Sequence, residues 1–193
     1  MKLNIYIISH PIIQIFNSHI TQNKHNTSKN ISDNIYHSKI MVFLIYELFR
    51  KTILVQNIYI NKLDTIKHLA KINSMQRNYV FTNIIENFDI MNEISTTFPQ
   101  TEIQHYDTNN KSNFINITKH NINNIANIII VEKFLDKHDI IRFLEYLINK
   151  INIEEKQIII ACITCNNQII ERISEKYRHI RLYTTQISNT LNR

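Results

Sequence analysis

The sequence predicts an α/β fold in which a parallel β-sheet is flanked by helices. Two observations support this class. Short, purely aliphatic runs at 128–131 and 158–162 have the length of strands, and segments with helical apolar spacing alternate with them. A strand–helix–strand order implies parallel pairing through crossovers, and continuous apolar strands are typical of a sheet that is covered on both faces.

The individual elements follow from the same periodicities. We predict strands at 3–8, 54–60, 79–85, 102–106, 127–131, 157–163 and 180–184, and helices at 32–49, 88–96, 139–150 and 167–177. Residues 17–34 read as a loop or a polar helix, 63–73 are ambiguous, and 108–112 form a polar loop. Pro11 and Pro99 break the pattern. No internal repeat and no second domain is indicated, so residues 1–193 are predicted to form one domain.

Charge and cysteine content restrict the function classes. The net charge of +6 permits an anionic partner such as nucleic acid, but lysine and arginine are spread along the chain, which indicates a solvated surface. No apolar run approaches the ~20 residues of a membrane helix, and no signal or transit peptide is recognisable. The pair Cys162 and Cys165 suits a reducing compartment, and we expect these thiols in the core rather than at a metal. The nine histidines show no ligand spacing.

The chain contains no glycine, although on the order of a dozen would be ordinary. Isoleucine, asparagine and lysine dominate, which indicates an A/T-rich gene, and we expect an organelle-encoded protein, a plastid one first. Phosphate loops use glycine to reach positive φ and to let the backbone approach the ligand. A glycine-rich phosphate cradle is therefore absent.

The segment 128–139, Ile-Ile-Ile-Val-Glu-Lys-Phe-Leu-Asp-Lys-His-Asp, joins a predicted strand to a predicted helix. It resembles the uracil phosphoribosyltransferases of the type I fold, whose loop here reads Val-Asp-Pro-Met-Leu-Ala-Thr-Gly-Gly-Ser. Further pieces agree in collinear order. They are Ile-Ser-His-Pro-Ile-Ile-Gln at 8–14, Phe-Leu-Ile-Tyr-Glu at 43–47, the segment 80–99 that runs to a proline, Ile-Ala-Cys-Ile-Thr at 160–164, Leu-Tyr-Thr-Thr-Gln-Ile-Ser at 182–188 and Leu-Asn at 191–192.

The resemblance assigns roles to the strand–helix segment. Glu132 stands where the family's acidic residue orients ribose hydroxyls, although we expect a solvated carboxylate at a strand end. Lys137, His138 and Asp139 stand where Thr-Gly-Gly wraps the 5′-phosphate of phosphoribosyl pyrophosphate. Asp139 would repel a phosphate and is expected to cap the following helix. Lys133, Lys137 and His138 are a candidate anion site at the helix N-terminus, although we expect a flexible polar loop here.

Other departures concern the pyrophosphate and the base. Ile85 aligns with the family's pyrophosphate-binding arginine and Asn87 with a neighbouring glycine. The sequence ends at Arg193, so the family's glycine-rich uracil-binding tail has no counterpart. His10, Tyr46 and Glu47 lie in matched segments, and we expect them to pack and cap.

Three hypotheses follow from this resemblance. The chain is a catalytically inactive homolog, with an unidentified protein partner. Alternatively, it is an active salvage enzyme that makes uridine monophosphate from uracil and phosphoribosyl pyrophosphate with Mg²⁺. The third is an RNA-binding regulator on the same fold, although aromatic residues are not interleaved with a basic cluster. No cofactor is expected without activity, and the resemblance implies a homodimer.

Overall fold

The computed structural model of the chain describes residues 3–23, 29–73, 76–98, 100–106 and 126–188. Eight strands alternate with five α-helices in this part of the chain. The strands are β1 (Asn4–Ile7), β2 (Val55–Asn61), β3 (Ile66–Ile72), β4 (Asn78–Thr82), β5 (Thr101–His105), β6 (Asn127–Leu135), β7 (Ile158–Asn166) and β8 (Arg181–Ser188). The helices are α1 (Pro11–Asn23), α2 (Lys29–Thr52), α3 (Phe88–Thr97), α4 (Asp139–Glu145) and α5 (Asn167–Lys176).

Six strands form one parallel sheet in the order β1-β8-β7-β6-β4-β5, which confirms the predicted fold class. The long aliphatic runs became its two central strands, β6 and β7. Successive side chains of a strand point to opposite faces. Ile128 and Ile130 accordingly pack with α4 and α5, and Ile129 and Val131 pack with α1, α2 and α3. Both faces are therefore covered, as continuous apolar strands require.

The predicted helix at 32–49 is confirmed and is longer at both ends. The polar stretch 17–34 is divided between the end of α1 and the start of α2. The predicted helix at 139–150 divides after Glu145, where α4 passes into a π-helical turn, Tyr146–Lys150. Asn152 follows with φ 59°, in the left-handed region that glycine usually occupies at a helix end.

The strand pair β2–β3 departs most from expectation. The strand at 54–60 exists, but it pairs only with β3, in an antiparallel hairpin separate from the main sheet. The ambiguous segment 63–73 supplies β3. Gln76 holds the base of the hairpin, because its amide nitrogen donates to the Thr52 carbonyl oxygen (2.6 Å) and its oxygen accepts from the Leu54 N–H (2.8 Å).

Several predictions fall outside the described residues. They are the polar loop at 108–112, the role of Pro99 and the Leu-Asn pair at 191–192. None of the helices that the structure describes is both long enough and apolar enough to span a bilayer.

Candidate functional site

A cavity of about 550 Å³ opens where β4 and β6 lie side by side. The chain leaves β4 through α3 toward β5, at one edge of the sheet, and leaves β6 through α4 toward β7, in the opposite direction. Ligands of open α/β sheets bind at such a switch point, beyond the carboxyl ends of the strands. The β4–α3 loop contributes Asn83, Ile85 and Glu86 to the lining. The end of β6 and the turn after it contribute Glu132, Lys133, Phe134, Leu135, Asp136 and Lys137. Three other positions complete the lining: Asn34, Tyr106 and Ile140.

Glu132 is the most perturbed acid of this cavity. It lies within β6, opposite Cys162 of β7, and is partly buried rather than solvated as expected. Burial raises the pKa of its carboxyl from 4.5 to about 7; the negative charges of Glu86 and Asp136 act in the same direction, and Lys137 opposes them. Near neutral pH this side chain is divided between its acid and its carboxylate forms.

Lys133 is the next residue of β6, and its ammonium group is already engaged. Its Nζ donates to the backbone carbonyl oxygen of Glu86 at 2.8 Å. Partial burial lowers the pKa of this lysine, and the acidic groups of Glu86 and Asp89 raise it in part. The contact fastens the β4–α3 loop to the end of β6.

Ile85 and Asn87 lie in different surroundings within that loop. The side chain of Ile85 is 85% exposed and lines the cavity. Asn87 is buried (1% exposed), and its amide nitrogen donates to the Thr82 hydroxyl at 2.8 Å. That hydroxyl donates in turn to the carbonyl oxygen of Val131 at 2.8 Å. Asn87 therefore links the loop to β4 and, through Thr82, to β6, and it is not a lining residue.

The segment expected to be a loop after Val131 is mostly strand. β6 continues to Leu135, because residues 132, 134 and 135 still pair with β7. Only residues 136–138 connect it to α4. A nine-residue strand carries Glu132 and Lys133 on a rigid element.

The helix after this turn corrects a second prediction. Asp139 is the first residue of α4 rather than its cap. The preceding His138 has helical dihedral angles and makes no capping hydrogen bond. The Asp139 carboxylate instead accepts from Arg142 at 3.3 Å, and the His138 Nδ1 lies 3.3 Å from a guanidinium nitrogen of Arg172 on α5. His138 and Asp139 do not line the cavity.

The structure thus brings together Glu132, Lys133, Lys137 and Ile85 of the predicted site, and leaves out Asn87, His138 and Asp139. Sequence reasoning missed Glu86 and Asp136. Asp136 directly follows β6, and Glu86 lies in the loop after β4, directly after the strand predicted at 79–85. A position after the carboxyl end of a strand was the available signal.

The charges of the cavity do not suit a polyanion. Lys133 and Lys137 contribute two positive charges, whereas Glu86, Glu132 and Asp136 contribute three negative charges when all are ionised, which gives a net charge of 2 − 3 = −1. No arginine is among its described lining residues. Among the residues that the structure describes, positive φ occurs only at Asn152, so the strand-to-helix turn at 136–138 offers no left-handed backbone.

The remaining matched residues are structural. The ring of His10 stacks on Phe43, with centroids 5.8 Å apart, and its Nδ1 accepts from the Ile12 N–H at 3.2 Å, which caps α1. The Tyr46 hydroxyl donates to Glu93 at 3.0 Å. Glu47 does not cap; it binds Arg50 within α2 at 2.8 Å.

The two cysteines are free thiols in the core, as predicted. The pKa of the Cys165 thiol is raised by its hydrogen bond with Cys162 and by burial. Within the described ranges, no three histidine, cysteine, aspartate or glutamate residues are grouped so that they would hold a metal ion.

Comparisons with known proteins give relatives over almost the full length. No family model matches the chain. It is 25% identical over 190 residues to a protein named uracil phosphoribosyltransferase homolog from Porphyra purpurea, covering 98% of this chain and 90% of the relative. It is 24% identical over 194 residues to a protein of the same name from Pyropia yezoensis, covering 100% and 92%. Among solved structures, the AQ2163 protein from Aquifex aeolicus has the same fold, with a TM-score of 0.63, 14% identity, and 95% and 87% of the two chains covered.

Proposed function

We propose that this chain, a distant relative of the uracil phosphoribosyltransferase homologs, does not transfer phosphoribosyl groups and serves as a non-catalytic binding or assembly component built on that fold. The charge of the cavity carries this proposal. Phosphoribosyl pyrophosphate is a polyanion, and the cavity at the switch point presents three carboxyl groups against two ammonium groups. Like charges repel strongly in a partly buried site, so the substrate would be disfavoured where the fold should bind it.

The second support is the shape of the phosphate-binding turn. A phosphate cradle needs consecutive backbone N–H groups that converge on the ligand, usually through left-handed residues. The turn here consists of Asp136, Lys137 and His138, and α4 begins without a side-chain cap. Asp136 lines the cavity and would point a carboxyl group toward the phosphate region. His138 and Asp139 stand where the resemblance places the two glycines, and their side chains remove the close approach of the backbone.

The third support is the position of Ile85. An aliphatic side chain, 85% exposed, stands where the resemblance places a pyrophosphate-binding arginine. Lys133 uses one of its three N–H donors on the Glu86 carbonyl oxygen, which holds its ammonium group against the backbone of the β4–α3 loop. Mg²⁺ in such sites is held largely by the phosphates of the substrate. A cavity that does not bind the pyrophosphate therefore lacks most of the ligands of this ion, and we propose no Mg²⁺ requirement.

A turnover assay tests this proposal. The purified chain is incubated with uracil, phosphoribosyl pyrophosphate and Mg²⁺, and uridine monophosphate is separated by chromatography, with an active uracil phosphoribosyltransferase as the positive control. We expect no product above the protein-free blank. Product that forms with the wild type and is lost in the Lys133→Met variant would show that this cavity is an active salvage site, because a contaminating host enzyme would not respond to that substitution.

An RNA-binding regulator on the same fold is favoured by one observation, the net charge of +6. Retention of RNA would then decrease steeply with salt, because each phosphate contact releases counterions. Filter binding at low and physiological salt measures this. Retention that is weak and equal for unrelated RNA sequences would assign the charge to general solubility.

We propose that the protein is encoded in, and works in, a plastid. Two relatives over nearly the full length come from red algae, and the glycine-free composition indicates an A/T-rich gene. Immunoblotting of isolated plastids against cytosol tests the location, and detection in the cytosol alone would contradict it.

A further inference from the structure

We infer that the cavity beside Glu132 is a binding site for a small organic monocation, a protonated amine with an apolar body. This inference rests on the proposal that the cavity does not take phosphoribosyl pyrophosphate, and it names the class of ligand that the same cavity accepts. The volume of about 550 Å³ is in the range of small-molecule sites. The lining combines apolar walls with a few polar groups, which is the usual make-up of such a site.

The carboxyl group of Glu132 is available to a ligand. It lies on β6, lines the cavity and is partly buried. Within the described residues no hydrogen bond and no ion pair reaches this carboxyl group, and Lys137 acts on it only through space. Carboxyl groups that are removed from bulk water are ordinarily paired or hydrogen-bonded, because an unsatisfied acceptor is costly there. A ligand ammonium group would supply both the donors and the opposite charge.

The charge balance of the cavity selects the sign of the ligand. The lining carries Glu86, Glu132 and Asp136 against Lys133 and Lys137, which leaves a net charge of 2 − 3 = −1 when all are ionised. A monocation brings this sum to −1 + 1 = 0, whereas a monoanion brings it to −1 − 1 = −2. Charges interact more strongly in a partly dry cavity than in water, so the cavity favours the cation and opposes the anion.

The placement of the carboxyl groups favours an organic cation over a metal ion. Hard divalent cations need several oxygen ligands around one point. In the part of the chain that the structure describes, no three carboxylate, histidine or cysteine side chains are grouped in that way. The three carboxyl groups of the cavity therefore surround a larger volume than a metal ion fills.

The apolar walls indicate the body of the ligand. Leu135 and Ile140 form the buried part of the wall. Ile85 and Phe134 also line the cavity, and they are 85% and 46% exposed. An apolar ligand body that covers these two side chains removes their surface and its own from water. A single ligand with an ammonium group at one end and a ring or alkyl chain at the other satisfies both parts of the lining.

Isothermal titration with three probes of similar shape tests the inference at pH 8. The probes are 2-phenylethylamine, 2-phenylethanol and phenylacetate, which share a phenyl ring and differ in carrying a positive, a zero or a negative charge. We expect the amine to bind at least ~10-fold more tightly than the alcohol, because only the amine gains a charge interaction in the cavity. Phenylacetate should give no saturable heat. An amine that does not bind, or that binds no better than the alcohol, would overturn the inference.

Two variants assign the binding to this cavity. Glu132→Gln keeps the size of the side chain and removes its charge, so the affinity for the amine should fall at least ~10-fold while that for the alcohol stays the same. Asp136→Asn removes a more distant charge and should weaken the amine on the order of 3-fold. The matched control Glu175→Gln, on the exposed face of α5 and outside this cavity, should bind the amine like the wild type. Wild-type affinity for the amine in both cavity variants would overturn the inference.

Binding of the amine should also strengthen as pH rises. The pKa of Glu132 is about 7, raised by burial and by Glu86 and Asp136 and opposed by Lys137. Its ionised fraction therefore increases about 10-fold from pH 6 to pH 8, while the amine stays protonated as lysine does, and the affinity should increase by up to about 10-fold.

Two histidines lie close to this part of the fold, and histidine ordinarily titrates in the same window. The ring of His37 on α2 contacts that of Phe134, with centroids 5.1 Å apart, and the His105 Nδ1 accepts from the Ile84 N–H at 3.3 Å. Glu132→Gln keeps both histidines and should lose most of the pH dependence. A pH profile that is unchanged in this variant would assign the effect to the histidines and would contradict the role given to Glu132.

Phosphoribosyl pyrophosphate with Mg²⁺ is titrated into the same protein in parallel, so that the two proposals fail separately. A protein that rejects both the amine and phosphoribosyl pyrophosphate would overturn this inference and leave the proposed function standing. Saturable binding of phosphoribosyl pyrophosphate with formation of uridine monophosphate would overturn the proposed function and, with it, the ligand class inferred from it. Binding of the amine alone is the result that we expect.

Discussion

Replacing Glu132 by glutamine should remove most of a pH dependence from the stability of this protein. The carboxyl group is partly buried in the cavity beside Glu86 and Asp136, and its pKa is about 7 in the folded chain, compared with 4.5 ordinarily. Glutamine keeps the shape and the polarity of the side chain but cannot ionise. The substitution therefore isolates the contribution of this one proton.

The sign follows from proton linkage. Between pH 4.5 and about 7 the folded protein keeps the Glu132 proton that the unfolded chain has lost. Since the folded state binds more protons there, the free energy of unfolding decreases as pH rises through this window, and it levels off above pH 7. The full difference in pKa corresponds to about 3 kcal/mol, most of which falls between pH 5 and pH 8.

Urea unfolding at pH 5 and pH 8 measures this effect in both proteins. The other titrating groups are common to both proteins. Their contribution cancels when the change in the free energy of unfolding between pH 5 and pH 8 is compared between the wild type and the variant. We expect the free energy of unfolding of the wild type to fall by about 2–3 kcal/mol more than that of the Glu132→Gln variant on going from pH 5 to pH 8.

The matched control is Glu175→Gln, which makes the same chemical change on an exposed side chain of α5. It should retain the pH dependence of the wild type. If Glu132→Gln also retained it, Glu132 would titrate as an ordinary solvated carboxylate, and the description of the cavity as partly dry and acidic would be wrong.

Three further predictions concern the loop, the hairpin and the core. Thr82→Val leaves the buried Asn87 amide without its acceptor and should lower the free energy of unfolding by about 1–3 kcal/mol in urea unfolding, unlike the same change at an exposed threonine. Gln76→Ala removes both hydrogen bonds at the base of the hairpin, and amide exchange of the hairpin should accelerate before that of β6 or β7. Cys162 and Cys165 are fully buried, so a thiol reagent should label them at the rate of unfolding, and immediate labelling in native buffer would contradict their place in the core.

The sheet was predictable because its central strands are read from local composition alone. Residues 128–131 and 158–162 are apolar at every position, and a sheet covered on both faces buries such runs. The amphipathic pattern of α2 was equally local. What failed was the end of β6. Glu132 and Lys133 look like the start of a loop, but hydrogen bonds to β7 continue the strand past them, and that pairing is a tertiary effect.

Neither β3 of the hairpin nor the full set of cavity residues could be predicted from local sequence patterns. Residues 63–73 have neither clear alternation nor a helical period, because both faces of β3 carry apolar and polar residues. In the cavity, Glu86 comes near Glu132 only through the adjacency of β4 and β6, which are separated by a long stretch of sequence. Local reading could nominate Glu132, Lys133 and Lys137, but it could not show that Lys133 is bound to a backbone carbonyl group.

The most direct test of the central claim is isothermal titration of the purified protein with phosphoribosyl pyrophosphate and Mg²⁺ at pH 6 and pH 8. A cavity with three acidic and two basic side chains should give no saturable heat at either pH. The Asp136→Asn, Glu86→Gln double variant removes two of the carboxylates and is the control for direction, because phosphoribosyl pyrophosphate should bind it more strongly than the wild type. Saturable binding by the wild type, lost in Lys133→Met, would contradict the account and restore this cavity as a substrate site.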